Sequence, residues 1–249
     1  MTGLIGVIGN RPRATEFSDA LDRLWKPKGW FISRQIGNSP ARARNQLIRT
    51  AIEQELDYVL FLDDDHVFPP DTLLRLLNHG VDCVSALYTW RVNPFHANVF
   101  DQLSATPEGE PDPHGKLVIK PLMGVKPGLI TCNIVGSGFF LAKVEVLKKV
   151  DDPWFTLGWP FQEEWCDDIS FCVRLREAGV EIHVDTATCI DHIGTVLCRP
   201  FYFVNEEESC GEWRTAFVVD GTVVGVARHD YEAAKMPMDK LPTSKETHR

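Results

Sequence analysis

Three consecutive aspartates, Asp63, Asp64 and Asp65, close an apolar run, Tyr58-Val59-Leu60-Phe61-Leu62, and His66 follows them. The run is short, apolar and partly aromatic, so it reads as a buried strand rather than a surface helix. A strand end loaded with like charge needs positive charge nearby, or some of its carboxyls must take up protons. A divalent metal carrying an anionic ligand meets that need. Hard oxygen donors in a D-x-D arrangement suit Mg²⁺ or Mn²⁺ holding a diphosphate. The plainer alternative is a capped loop whose aspartates bond to backbone N–H groups.

The surroundings of that strand indicate its layer. Leu4 to Ile8 reads as a first strand, and a loop with Asn10, Arg11 and Arg13 follows it. Helices are expected near Glu16 to Leu24 and over Ala41 to Leu56, where Ala43, Leu47 and Ala51 recur at helical spacing. Pro70-Asp71 opens another helix that Gly80 ends, and Cys83 to Tyr88 returns to strand character. Strands alternating with helices imply an α/β fold with a mainly parallel central sheet and helices on both faces. In such sheets ligands bind beyond the carboxyl ends of the strands, where the aspartates stand. Residues 92–130 are rich in Pro and Gly, with little periodicity, and read as a long irregular excursion. Phe217 to Val224 reads as a β-hairpin on an Asp-Gly turn.

A net charge of −9 lowers the prior for a protein that grips DNA mainly through phosphates. Seven scattered cysteines with no C-x-x-C pair argue for reduced thiols rather than a disulfide framework or zinc knuckle. No apolar run is long enough for a membrane span, and no basic leader precedes the first strand. The expected compartment is therefore cytoplasmic.

A second acidic cluster, Glu163-Glu164-Trp165-Cys166-Asp167-Asp168, opens a late helix that Gly179 stops. One aspartate there is explained by capping and by the helix dipole. Two aspartates, two glutamates and nearby tryptophans exceed that requirement, and one carboxylate could accept a proton from a substrate hydroxyl. His192 follows Asp191 just beyond a strand. At the same sheet edge as the aspartates, its imidazole would complete the protein share of a metal site and lean it toward Mn²⁺.

Taken together, these residues resemble the GT-A glycosyltransferases, in particular family-2-like members, including short versions common in phages and bacteria. The resemblance covers roughly residues 3–195. It rests on Ala43-Arg44-Asn45-Gln46-Leu47, Phe61-Leu62-Asp63-Asp64-Asp65 with Pro69-Pro70-Asp71, Gly136-Ser137-Gly138-Phe139, Asp167-Asp168-Ile169-Ser170-Phe171 and His192-Ile193-Gly194. It implies a GT-A catalytic domain over 1–195; beyond the resemblance, the hairpin and the composition of the last residues lead us to expect a C-terminal extension over 196–230 packed on the same domain and a flexible tail over 231–249. It also implies a nucleoside diphosphate sugar donor and a divalent ion, Mn²⁺ or Mg²⁺.

The resemblance further implies particular roles. Asp65 and His192 would hold the metal, with Asp63 near the metal or the ribose and Asp64 sharing either duty. Asp168 would be the base of an inverting transfer, with Asp167 beside it in place of the family's Glu. Gly136, Ser137 and Gly138 would let backbone approach the donor sugar. Asn10, Arg11 and Arg44 are candidates for the donor nucleotide, because guanidinium forks suit phosphate oxygens. Arg42 and Arg91 are further candidates. Trp159, Glu164 and Trp165 are candidates for sugar or acceptor contact, with core packing the alternative for the tryptophans.

Two other readings stay open on sequence. A nucleotidyltransferase would also use strand-end aspartates and metal, but would leave Asp167 and Asp168 without a clear duty. A nucleotide-sugar-binding protein would bind donor without turnover. The acceptor is open among a protein side chain, a glycan, a lipid-linked sugar and a modified DNA base. Asp65→Ala is expected to abolish metal-dependent turnover of the donor sugar while circular dichroism shows a folded chain. Undiminished turnover would remove the metal from the reading.

Overall fold

The computed structural model describes residues 1–9, 13–91, 95–105, 111–120, 122, 125–157, 166–194, 196–205, 210–219 and 221–229. In chain order the first half contains β1 (Gly3–Gly9), α1 (Thr15–Arg23), β2 (Trp30–Ile36), α2 (Pro40–Glu53), β3 (Tyr58–Asp63), β4 (His66–Val67), α3 (Thr72–Asn78) and β5 (Cys83–Leu87). Then come β6 (Val99–Ala105), β7 (Pro111–Ile119), β8 (Leu129–Cys132), β9 (Ile134–Val135), β10 (Phe139–Lys143) and α4 (Val144–Leu147). The remainder is α5 (Asp167–Glu177), β11 (Ile182–Cys189), β12 (Asp191–Ile193), β13 (Leu197–Asn205), β14 (Cys210–Val219) and β15 (Thr222–Arg228). None of the described helices is long and apolar enough to cross a membrane.

The central sheet runs β2-β1-β3-β10-β5-β11-β8. β2, β1, β3, β5 and β11 are parallel, while β10 and β8 run against them. The alternation of side chains along β3 sorts the core into two layers. Val59 and Phe61 face the layer that contains Leu47, Ile48 and Ala51 of α2 and Phe171 of α5. Leu60 and Leu62 face the other, with Phe17 and Leu21 of α1 and Leu73 and Leu76 of α3. The α/β class expected from the sequence is the one observed. Asp63 continues the parity of Phe61, so it points toward α2 and α5. The turn at Asp64 and Asp65 then breaks the parity and sends His66 to a different neighbour.

Local boundaries follow ordinary chemistry. Pro40 occupies the first turn of α2, where its missing N–H costs nothing. Gly80 and Gly179 stand just past α3 and α5 with φ of +68° and +76°, conformations that a side chain would strain.

The excursion expected over 92–130 is corrected in part. β6 pairs with β7 and with β9 in a separate three-stranded sheet, and β8 joins the edge of the central one. β6 and β8 take distant partners in β9 and β11, which local composition does not encode, while β7 pairs with the neighbouring β6. The apolar stretch Asn133 to Leu141 forms two strands rather than one, Gly136–Gly138 separating β9 from β10, which serve different sheets. The C-terminal strands build a five-stranded sheet, β15-β14-β13-β12-β4. The late hairpin is thus continuous with the strands that hold His66 and His192.

Phe61 sits at the centre of the α2–α5 layer. It is fully buried against Phe140, Phe155 and Phe171, with ring centroids 6.4, 5.4 and 6.1 Å away. Phe61→Ala is expected to cost about 3–5 kcal/mol, read by urea denaturation. A cost below about 1 kcal/mol would mean that this cluster does not hold the layer together.

Candidate functional site

β3, β5 and β11 end at the same edge of the central sheet, and the chain that leaves each end carries the site. After β3 come Asp65 and His66, after β5 come Tyr88, Thr89 and Arg91, and after β11 come Asp191 and His192. His66 and His192 are directly opposite each other in the antiparallel pairing of β4 with β12. Opposed residues in such a pair share one face, so their rings lie 4.6 Å apart. A backbone bond of 2.7 Å from Ile193 N–H to the Asp65 carbonyl ties the aspartate turn to the same strand.

The two imidazoles are oriented by main-chain carbonyls. His192 Nδ1–H donates to the Thr89 carbonyl at 2.9 Å, and His66 Nδ1–H to the Asp191 carbonyl at 3.2 Å. A carbonyl can only accept, so each neutral ring presents an unprotonated Nε2 at its other end. Both Nε2 atoms turn toward Asp65: His192 Nε2 lies 3.6 Å from Oδ2, and His66 Nε2 lies 4.0 Å from Oδ1. The three donor groups fall within 4.8 Å of one another. Two lone pairs facing a carboxylate repel unless a cation stands among them. The backbone bonds behind the rings are the outer-shell contacts that metal-ligating histidines use. The donor set therefore fits a divalent ion, and two nitrogens favour Mn²⁺ or a later metal over Mg²⁺.

Electrostatics agree with that arrangement. Burial pushes the Asp65 carboxyl up. Its polar contacts, the Arg91 guanidinium among them, outweigh burial and hold the group well below the usual carboxylate range. Arg91 Nη1 donates to Asp65 Oδ2 at 2.6 Å and to the Ile193 carbonyl at 3.3 Å. Burial, reinforced by His192 and opposed by Asp65, brings the His66 pKa down to about 3. His66 is thus neutral, as a ligand must be, across the physiological range. Gly138 makes room for this ring, because a Cβ there would overlap His66 Nε2 and crowd the Tyr88 hydroxyl. That hydroxyl accepts the Gly138 N–H at 3.0 Å.

On the α2–α5 side a second cluster forms around Arg44. Its Nη2 reaches both oxygens of Asp63, at 2.8 and 2.9 Å. Its Nη1 donates to Asp167 Oδ2 at 2.8 Å and lies 3.3 Å from Asp168 Oδ1. Burial alone would lower the arginine's pKa, but Asp63, Asp168 and Asp167 raise it further above its already high value. Burial raises the carboxyl of Asp63 against the pull of Arg44, and burial with Asp168 does the same for Asp167. Asp168 Oδ1 makes no hydrogen bond among the described residues, and about a quarter of the side chain is exposed.

Two expectations from the sequence need correction. Asp63 is outside the metal-fitting group, since its strand parity turns it to Arg44 while His66 takes its place. Arg44 is not turned toward a diphosphate. Its side chain is 3% exposed and engaged by carboxylates. Asp65 and His192 come together as expected. Asp64 lies beside Gly9 at the end of β1, where a Cβ would collide with its carboxylate. Gly136 packs on Tyr88 and Asn98, and Ser137 is buried with no hydrogen bond to its hydroxyl among the described residues. Asn10, Arg11, Trp159, Glu164 and Trp165 lie outside the described residues.

His66 is the member of the metal-fitting group that sequence reasoning missed. A faint signal was present: each histidine directly follows an aspartate just past a strand of the central sheet. Arg44 carried a clearer one, falling between Ala43 and Leu47 on the apolar stripe of α2, where a charge requires buried partners.

Residues 12–150, more than half of the chain, match the model of glycosyl transferase family 2. Among curated protein sequences none matches. Among solved structures, A197 from STIV aligns over 92% of this chain and 100% of its own, with TM-score 0.51 and 17% identity, a likeness of fold. S. aureus TarS 1-349 aligns over 75% of this chain and 58% of its own at TM-score 0.44 and 15% identity. Apo UDP-glucose pyrophosphorylase aligns over 74% and 73% at TM-score 0.36 and 6% identity.

Calorimetric titration with Mn²⁺ tests the ligand set. His66→Ala and His192→Ala should each weaken binding by at least the roughly 10–100-fold that loss of an outer-shell partner costs. Asp63→Asn should leave it nearly unchanged. Equal affinity in wild type and His66→Ala would return the third ligand to Asp63.

Proposed function

Since the chain belongs to glycosyl transferase family 2 and is a glycosyltransferase, we propose that it works with a divalent metal. In this reading it moves a sugar from a nucleoside diphosphate sugar to an acceptor hydroxyl with inversion. The observation that supports this most is the meeting at one sheet edge of two groups distant in sequence. These are the Asp65, His66 and His192 donors and the Asp167–Asp168 start of α5, joined through Asp63 and Arg44.

Asp65, His66 and His192 would hold the ion, Mn²⁺ in preference to Mg²⁺. When bound, it supplies Lewis-acid stabilisation of charge growing on the leaving diphosphate. Arg91, anchored on Asp65, brings a guanidinium to the same oxygens. Asp64 beside Gly9, with Asn10 and Arg11 next in the chain, takes the nucleotide side. The segment Gly136 to Gly138, through its backbone rather than the buried Ser137 hydroxyl, takes the donor-sugar side. Trp159, Glu164 and Trp165, just ahead of α5, take the sugar or acceptor. The pocket holds acceptor oxygen and anomeric carbon in line. Asp168 then accepts the hydroxyl proton as that oxygen attacks, and direct attack inverts the anomeric carbon.

In the same reading residues 1–195 form the catalytic unit and 196–230 its extension. Pairing of β12 with β13 supports this, because it buttresses the strand of His192.

A thermal-shift screen of nucleotide sugars with and without Mn²⁺ identifies the donor, since a ligand bound only by the native state raises its Tm. Asp168→Asn should keep the donor- and Mn²⁺-dependent shift and lose about 10²–10⁴-fold in sugar transfer or release. Full turnover in that variant would remove Asp168 as base. A screen in which no nucleotide sugar shifts the protein would remove the donor class.

A further inference from the structure

Arg44 has no direct role in the proposed chemistry, yet it is the most heavily engaged side chain of the site. It stands on the buried stripe of α2 where an apolar residue would otherwise pack, with Ala43, Leu47, Ile48 and Ala51 around it. Its two terminal nitrogens face in different directions along the sheet edge. Nη2 takes Asp63, the last residue of β3 and two positions before the metal-fitting Asp65. Nη1 takes Asp167, the first residue of α5 and the neighbour of Asp168. The guanidinium carbon lies 5.5 Å from the centroid of the Phe155 ring. The next residue, Asn45, closes two hydrogen bonds with the Phe155 backbone, of 2.8 and 2.9 Å. Phe155 in turn stacks on Phe171 of α5 at 4.0 Å. Two consecutive residues of α2 therefore grip α5 at its start and on its flank.

We infer that Arg44 is a positioning residue that sets the separation between the donor side and the acceptor side of the site. Through Asp63 it fixes the strand end that leads into the metal-fitting turn. Through Asp167 it fixes the first turn of α5 and with it the location of Asp168, whose buried Oδ1 has no hydrogen-bond partner among the described residues. Only a planar fork reaches both partners at once. A lysine ammonium carries the charge but is a single point. The inference rests on the glycosyl-transfer reading for its catalytic readout and on the geometry alone for its structural one.

The test uses the full chain with Mn²⁺ and a panel of UDP-glucose, UDP-galactose, UDP-N-acetylglucosamine and GDP-mannose. Release of free sugar to water is the reaction read, so that no acceptor is needed. Arg44→Lys should keep donor KM within about threefold while kcat falls about 100-fold, the scale of a misplacement of about 1 Å. Amide exchange over 167–171 should quicken in the same variant, while Mn²⁺ affinity stays that of the wild type. In Arg44→Ala, millimolar guanidinium should restore turnover and methylammonium should not.

A raised KM with unchanged kcat would instead make Arg44 a phosphate contact and overturn the inference. So would wild-type turnover and exchange in Arg44→Lys. If Arg44→Ala does not fold, Arg44→Lys decides. A wild type that releases sugar from none of the four donors counts against the glycosyl-transfer reading as tested here, and the exchange measurement still judges the positioning role.

Discussion

Four carboxylates, those of Asp63, Asp65, Asp167 and Asp168, converge on one edge of the central sheet, and two guanidiniums stand among them. Arg44 bonds Asp63 and Asp167 and lies against Asp168, while Arg91 bonds Asp65. Without those cations the groups would repel or protonate, since isolated buried charge costs several kcal/mol per ion. The raised pKa of Asp63 and Asp167 shows that even with Arg44 present the balance is tight. The lowered pKa of Asp65 shows the opposite balance at the metal-fitting group, where its polar contacts, Arg91 among them, outweigh burial. One sheet edge thus carries two electrostatic environments, one able to hold a cation and one closed around its own.

The difference arises from the backbone. β3 delivers Asp63 with the parity of Phe61, into the α2–α5 layer. The turn at Asp64 and Asp65 then reverses the chain's allegiance and joins β4 to β12. That pairing brings His66 opposite His192 and hands both rings to main-chain carbonyls. Asp191 adds a further constraint. Its carboxylate is buried and bonded by Arg199 through both oxygens at 2.6 Å, while its carbonyl accepts from His66. Rings held in this way lose little rotamer freedom when they bind a ligand, so the donor set is largely preorganised.

Much of this was legible in residue order. The apolar run before Asp63, the stripe of α2, the glycines after α3 and α5, and the acidic opening of α5 each carry a local physical signature. The structure has an element at each of those places. β6 and β8 were not legible in that way, because they pair with β9 and β11 farther along the chain, while β7 pairs with the neighbouring β6. Arg44 was noticed for the wrong reason. Its guanidinium suggested phosphate, whereas its place on an apolar stripe already required buried counter-charges.

Local chemistry by itself determined an α/β chain with a strand ending in aspartates, a late helix opening on two more, and a histidine past the following strand. Periodicity, turn residues and charge are properties of short segments, and a linear chain displays them directly. Which aspartate keeps company with which cation was decided only by folding. Strand parity gave Asp63 to Arg44, and a two-residue strand paired across the molecule brought His66 to Asp65 and His192. Such partnerships depend on register and on the direction a side chain leaves the sheet, and these exist only once distant strands have paired.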